Sequence, residues 1–325
     1  MKILAIKCRR LGDTVLWTAA LEALQQCFPS AQIDLAFPKA YAPLFDGDTR
    51  FKTRYGIESD RASQKRLSEL WRANQYDTAL VFHASPSSRR LGKSASAKHL
   101  LIHHHSRTPR NFGSAQRIVG LGKPMAATER DLNVVRTLGW TGASPSPKLV
   151  TSAPRAKKWI VFSPAASRPS KQWELERYGE VIAKLPTHVP AVVVSESEDL
   201  WRNRARLRRQ IEARAQVLIT KTLSQAIQAL SLARCFVGAD SGLKHMAAAL
   251  GVPTITLFGP ESLGEWHPYS PDSHTAIQKE VRCRTNDADN PAFAWCGAAV
   301  CPLASHACLS QTQPEEVLRA IERYL

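Results

Sequence analysis

No apolar run in this 325-residue sequence is long enough to cross a membrane as a helix. The longest mostly apolar stretch, Met246 to Gly259, is interrupted by Gly251 and Pro253 and falls short of the ~20 residues such a span needs. A secretory leader is not expected either. In MKILAIKCRR four apolar residues follow Lys2 before Lys7 and Arg9 break the run, which reads as a first strand. The seven cysteines include no CxxC pair and are odd in number, a usage that fits reduced thiols in a cytoplasmic protein better than a disulfide framework. Short internal repeats are absent. So are interleaved aromatics on a strand face and a recognition helix, which leaves a non-catalytic nucleic-acid-binding module without a supporting motif. Gly120-Leu121-Gly122-Lys123 lacks the rest of a P-loop and runs into Pro124. Carboxylates, finally, are missing between Asp77 and Glu129, where Arg89, Arg90, Lys93, Lys98, Arg107, Arg110, Arg117 and Lys123 all occur. With a net charge of +16 and a pI near 9.8, that basic region points to an anionic partner; charge alone does not choose among nucleic acid, phospholipid and acidic glycan. The arginines after Trp201 (WRNRARLRRQ) lie around several sides of an expected helix and read as a solvated face.

What is present is an alternation of strands and helices. In the first half, Lys2 to Cys8, Gln32 to Phe37, Asp77 to His83 and His99 to His104 read as strands. Leu16, Ala20, Ala23, Leu24 and Cys27 recur at helical spacing up to Pro29, and another helix begins near Leu132. Gly142 to Lys158 is rich in Pro, Ser and Ala and reads as a linker. Beyond it, strands are expected at Trp159 to Ser163, Ala191 to Ser195, Gln216 to Thr220, Arg234 to Val237 and Thr254 to Phe258. Helices are expected at Trp173 to Leu185, Leu200 to Ala213, Leu223 to Leu232, Leu243 to Leu250 and Pro314 to Leu325. The expectation is two α/β domains, each a doubly wound parallel sheet, facing across a cleft: residues 1–150 and residues 151–325, with the last helix over 314–325 free to pack back on the first domain.

Asp240 to Pro260 stands out as an anion seat. A polar turn follows an apolar run and opens a small-residue helix, with Asp240 or Ser241 placed to cap it and the amides of Ser241, Gly242 and Leu243 pointing outward. Lys244 is a cation in a helix's first turn, which the dipole disfavours unless an anion such as a diphosphate lies beside it; the plainer alternative is a solvent-facing lysine. His245 is expected to be structural. In Arg10-Leu11-Gly12-Asp13-Thr14, Gly12 permits a tight turn, and Asp13 is either a helix cap or a general base at the C-terminal edge of the first strand. Two D-x-D triplets, Asp46-Gly47-Asp48 and Asp287-Ala288-Asp289, read as turns. His103-His104-His105 reads as a polar edge, since alternate strand residues face opposite ways. Cys283, Cys296, Cys301 and Cys308 are numerous enough for a metal but are spaced unlike zinc knuckles, and are read as structural.

Taken together, the MKIL strand, the LGD turn, the K-x-W loop at Lys171, the D-x-G-L-x-H helix at Asp240, GVPTITLFGP, Trp266 with Pro268-Tyr269, Cys301-Pro302-Leu303 and Cys308-Leu309 resemble glycosyltransferase family 9, which contains the lipopolysaccharide heptosyltransferases. The resemblance runs nearly the whole length. It implies a GT-B fold and inverting transfer of heptose from ADP-heptose to a lipopolysaccharide inner-core acceptor, with no metal or other cofactor. By position it makes Asp13 the base and Lys171 the lysine facing the donor diphosphate. Ser167, Asp240, Ser241, Gly242, Leu243 and Lys244 would lie around the donor, and Glu198, with Glu196 as competitor, would meet its ribose. Gly12, Arg89, Arg90 and Lys93 are expected on the acceptor side. The partners implied are a nucleotide-sugar and an acidic glycolipid, reached at the inner face of the inner membrane. A GT-B enzyme using another nucleotide-sugar remains the alternative.

Overall fold

The computed structural model describes residues 1–83, 85–104, 116–119, 124–152 and 156–325, with 104 and 116–119 as backbone. The chain forms two compact units, Met1–Thr151 and Ser152–Leu325. Arg107, Arg110, Lys123, His105 and Gly120 to Gly122, all singled out from the sequence, lie outside the described residues.

The first unit is a six-stranded parallel sheet: β1 (Lys2–Ile6), β2 (Gln32–Pro38), β3 (Arg54–Ile57), β4 (Thr78–Val81), β5 (His99–His104) and β6 (Gln116–Val119), in the order β3-β2-β1-β4-β5-β6. Among the described residues five α-helices accompany it, α1 (Leu11–Leu16), α2 (Thr18–Cys27), α3 (Arg61–Asn74), α4 (Pro86–Ser94) and α5 (Ala127–Arg136), with a 3-10 helix at Lys39–Phe45. A strand buried on both faces must be apolar along its whole length. Past the exposed Lys2 at its start, β1 meets that demand, with Ile3 to Ile6 all inaccessible. The single helix expected between the first turn and Pro29 is broken at Trp17, whose fully buried ring sets its edge against Phe45 and Phe82. His103 is not at an edge: β5 pairs β4 on one side and β6 on the other, and the side chain is fully buried.

The second unit repeats the plan with β7 (Trp159–Ser163), β8 (Ala191–Ser195), β9 (Gln216–Ile219), β10 (Ala233–Ala239), β11 (Thr254–Phe258) and β12 (His274–Gln278), in the order β12-β11-β10-β7-β8-β9. Its helices are α6 (Leu175–Lys184), α7 (Ala205–Glu212), α8 (Leu223–Ser231), α9 (Gly242–Ala249), α10 (Leu263–Trp266), α11 (Ala307–Ser310) and α12 (Pro314–Glu322). The helix expected over Leu200 to Ala213 is divided. Asn203, at φ 60°, interrupts it between a short 3-10 turn at Glu198–Trp201 and α7. The last helix buries Val317 and Ile321 in this unit's own core and pairs Glu315 with Lys184 on α6 at 2.5 Å.

In each sheet the chain winds outward from one central strand and then returns to its other side. The resulting switch points lie between β1 and β4 and between β7 and β10. At such points, beyond the C-terminal ends of the strands, open α/β sheets bind their ligands.

Candidate functional site

The switch point of the second unit gathers charge. β10 ends against β7 so closely that a Cβ on Gly238 would lie 2.6 Å from the Ser163 carbonyl, so only glycine allows this approach. The two strands therefore deliver their following loops side by side, and Lys171 Nζ reaches Asp240 Oδ2 at 2.8 Å. Lys244 Nζ holds the other carboxylate oxygen at 2.6 Å. Glu261, just beyond β11, pairs with Arg168 and lies 3.6 Å from Lys171. Burial would raise the Asp240 pKa, but Lys244 and Lys171 outweigh it and hold the carboxyl well below the usual carboxylate range.

Ser241 is the N-cap of α9, its hydroxyl accepting from the Lys244 amide at 3.5 Å. Asp240 precedes the cap and serves the lysines instead. The first-turn amides of α9 have no carbonyl of their own helix to donate to, and the helix dipole adds positive potential there. Ser241 and Gly242 are half-buried, Leu243 buried and Ser167 exposed. Lys244 departs from both sequence expectations. Its side chain is 0% exposed, so it is no surface lysine, and the anion that compensates its place in the first turn is Asp240. Burial pulls its pKa down to about 8 against the opposing pull of Asp240. His245 is buried with its Nδ1 2.6 Å from the Tyr269 hydroxyl, and burial pulls its pKa well below the usual histidine value. Glu198 does not join this cluster. It is exposed and pairs with Arg208 at 2.6 Å.

The cysteine-rich segment braces the site. Ser170, next to Lys171, donates its amide to the Ala299 carbonyl at 3.1 Å and its hydroxyl to that of Ala298 at 2.7 Å. His306 Nε2 meets the Ser170 carbonyl at 2.9 Å, the Cys296 amide donates to Pro260 at 2.7 Å, and buried Arg284 donates twice to Gly259. All seven cysteines are free thiols, and no group of three or more His, Cys, Asp or Glu among the described residues is arranged to hold a metal ion. The D-x-D triplets are turns in which Asp48 pairs with Arg50 and Asp287 accepts from the Trp295 indole.

In the first unit Asp13 follows β1 at the switch point. It is not a cap. Arg10 is the N-cap residue and makes no side-chain cap bond, while the Asp13 carboxylate, one turn in, accepts from Arg9 Nε at 3.2 Å. Gly12 beside it is half-buried. Beneath this turn, buried Lys7 gives both Asp131 oxygens hydrogen bonds of 2.6 and 2.7 Å. Burial pushes Asp131 up to about 6 despite Lys7. His83, beyond β4 across the switch point, is pulled to about 4 by burial, with Arg9 and Lys7 adding to the effect and Asp13 opposing it. Burial likewise takes His103 to about 3. Sequence reasoning missed His83, Arg168, Glu261 and Asp131. The strand-end position of His83 in DTALVFH was the one local signal among them. Arg90 and Lys93 are exposed and Arg89 half-buried on α4, which starts at the Ser85 cap beyond β4; Lys98 is engaged by Asp77 at 2.6 Å.

Comparison with known proteins places these features. Residues 110–291, more than half of the chain, match the model of glycosyltransferase family 9 (heptosyltransferase). Lipopolysaccharide heptosyltransferase 1 of Escherichia coli strain K12 is 24% identical over 285 residues, covering 81% of this chain and 89% of that protein. The structure of the E. coli ADP-heptose lipopolysaccharide heptosyltransferase II superposes with a TM-score of 0.77 at 22% identity, covering 100% of this chain and 98% of that one. An E. coli heptosyltransferase with ADP-2-deoxy-2-fluoro heptose gives 0.75 at 20% identity, with both chains covered fully. These likenesses show a common GT-B fold of two Rossmann-like units.

Proposed function

Because this chain belongs to glycosyltransferase family 9, and so is a glycosyltransferase, we propose that it transfers heptose from ADP-heptose to the inner core of a lipopolysaccharide acceptor, with inversion at the anomeric carbon. The proposal rests above all on the meeting of Lys171, Asp240 and the N-terminus of α9 at the switch point of the second unit, a positive seat suited to a diphosphate. There the amides of Ser241, Gly242 and Leu243 receive the phosphate oxygens, with Ser167 nearby. Lys171 neutralises the charge that grows on the leaving diphosphate, and so favours the transition state over the ground state. Glu198, beyond β8, would meet the donor ribose on release from Arg208.

The first unit supplies the acceptor side. Asp13 removes the proton of the attacking hydroxyl, with Gly12 leaving room beside it and Arg89, Arg90 and Lys93 receiving the acidic core. Displacement of this kind needs one carboxylate and one cation, so neither a metal nor a further cofactor is called on. The acceptor's lipid places the reaction at the cytoplasmic face of the inner membrane, with the protein bound peripherally; no helix among the described residues is long and apolar enough to cross it. The test is release of ADP from ADP-heptose in the presence of a heptose-deficient core acceptor, with the anomeric configuration of the product read by NMR. Inverted product is expected. Turnover with UDP-sugars instead would overturn the donor assignment, and retained configuration the mechanism.

A further inference from the structure

Lys244 is a lysine with nothing exposed, and its partners lie on three separate segments. Its ammonium donates to Asp240 Oδ1 at 2.6 Å and to the Trp266 carbonyl at 2.7 Å, and it stands 4.9 Å from the Phe258 ring centroid and 5.8 Å from that of Tyr269. A side chain enclosed in this way cannot touch a ligand laid on the helix N-terminus. It can act on one through Asp240. That carboxylate is shared: one oxygen goes to Lys244, the other to Lys171, whose side chain keeps 11% exposure. Counting Arg168 and Glu261, the cluster holds three cations against two carboxylates, so one positive charge is left over for an anion.

We infer that Lys244 is a positioning residue for donor binding: by neutralising one oxygen of Asp240 it leaves the Lys171 ammonium available to the diphosphate, and by holding the Trp266 carbonyl it pins the C-terminal end of α10 to the same carboxylate. The inference rests on reading the α9 N-terminus as the donor seat. Without the Lys244 charge, Asp240 is balanced by Lys171 alone, and a diphosphate has to break that ion pair before it can recruit the ammonium. The cluster then carries no surplus charge.

The test is isothermal titration calorimetry of ADP with the full-length wild type, Lys244→Met, and the double variant Asp240→Asn/Lys244→Met at pH 7. Methionine fills the same slot between the Phe258 and Tyr269 rings without charge. The single variant should bind ADP roughly tenfold more weakly, the loss of about one charge-assisted interaction. The double variant, in which a neutral asparagine no longer claims Lys171, should return to within about threefold of wild type. A structural role alone would lower Tm in the single variant and leave the Kd of the folded protein unchanged. If the double variant binds no better than Lys244→Met, Lys244 meets the ligand itself and the inference is wrong. Wild-type affinity in Lys244→Met overturns it as well. Should that variant fail to fold, the double variant, with no buried charge left unpaired, decides alone by the same threefold criterion. Absence of ADP binding by the wild type would refute the donor site itself, and the inference with it.

Discussion

Asp13 occupies the first turn of α1 with Arg10, not itself, at the cap, so removing its charge costs no capping bond. Asp13→Asn should therefore keep the wild-type Tm while kcat falls by at least the ~10²-fold expected of general-base loss. A fully active, folded Asn variant would remove Asp13 from the chemistry. Lys244 makes a second prediction at this scale. Its pKa is lowered to about 8, so the ammonium is charged below that pH and lost above it. The groups facing it from neighbouring elements are Asp240, Lys171, Glu261 and Tyr269, with His245, His267 and His274. Asp240 is held low, the three histidines are pulled down by burial and Tyr269 is pushed up, which leaves Lys244 to titrate in this range. ADP affinity should be level near pH 7 and decline between pH 8 and 9 in wild type, and stay flat in Lys244→Met; calorimetry across that range checks it. Asp240 was singled out by its strand-turn-helix pattern, where local signals are strongest, whereas Asp13 and Lys171 were singled out through the family resemblance, since locally Asp13 read equally as a helix cap. Arg168 and Glu261 were not singled out, since they meet across 93 residues. The burial of Lys244 was hidden for the same reason: its lid, Trp266, lies 22 residues on.

Elements show the same division. Central strands such as WIVFS, AVVVS and TITLF are largely apolar or β-branched because both faces are covered, and their limits were readable to the residue. RYGI of β3, QRIV of β6 and HTAIQ of β12 went unread. They are short and mixed, and each sits at an edge of its sheet, where burial imposes no pattern. The clamp between the end of β1 and α5 was equally silent, although Lys7 and Asp131 are 124 residues apart and both buried. Breaking one side of such a pair leaves a buried charge alone. Lys7→Met should destabilise the protein by about 3–5 kcal/mol in urea unfolding, whereas Lys7→Met/Asp131→Leu should recover most of that loss. Equal loss in both variants would show that the pair holds α5 by something other than its charge balance.

For the molecule as a whole, the net charge of +16 is given direction by the carboxylate-free stretch, of which Arg89, Arg90 and Lys93 lie on one helix beyond β4. Changing these three to Ser should raise the acceptor KM and leave the donor KM unchanged, with the difference shrinking as salt is added. An unchanged acceptor KM would detach the basic region from the acceptor. The proposed division of labour, with acceptor chemistry in the first unit and donor binding in the second, depends most on the proposed nucleotide seat at Lys171, Asp240 and α9. Its most direct test is the thermal shift of wild type and Lys171→Met with ADP, UDP and GDP, because a ligand that binds only the native state raises Tm with its occupancy. The account predicts a rise selective for ADP in wild type that is largely lost in Lys171→Met. A rise selective for UDP or GDP, or an ADP shift indifferent to Lys171, would contradict it.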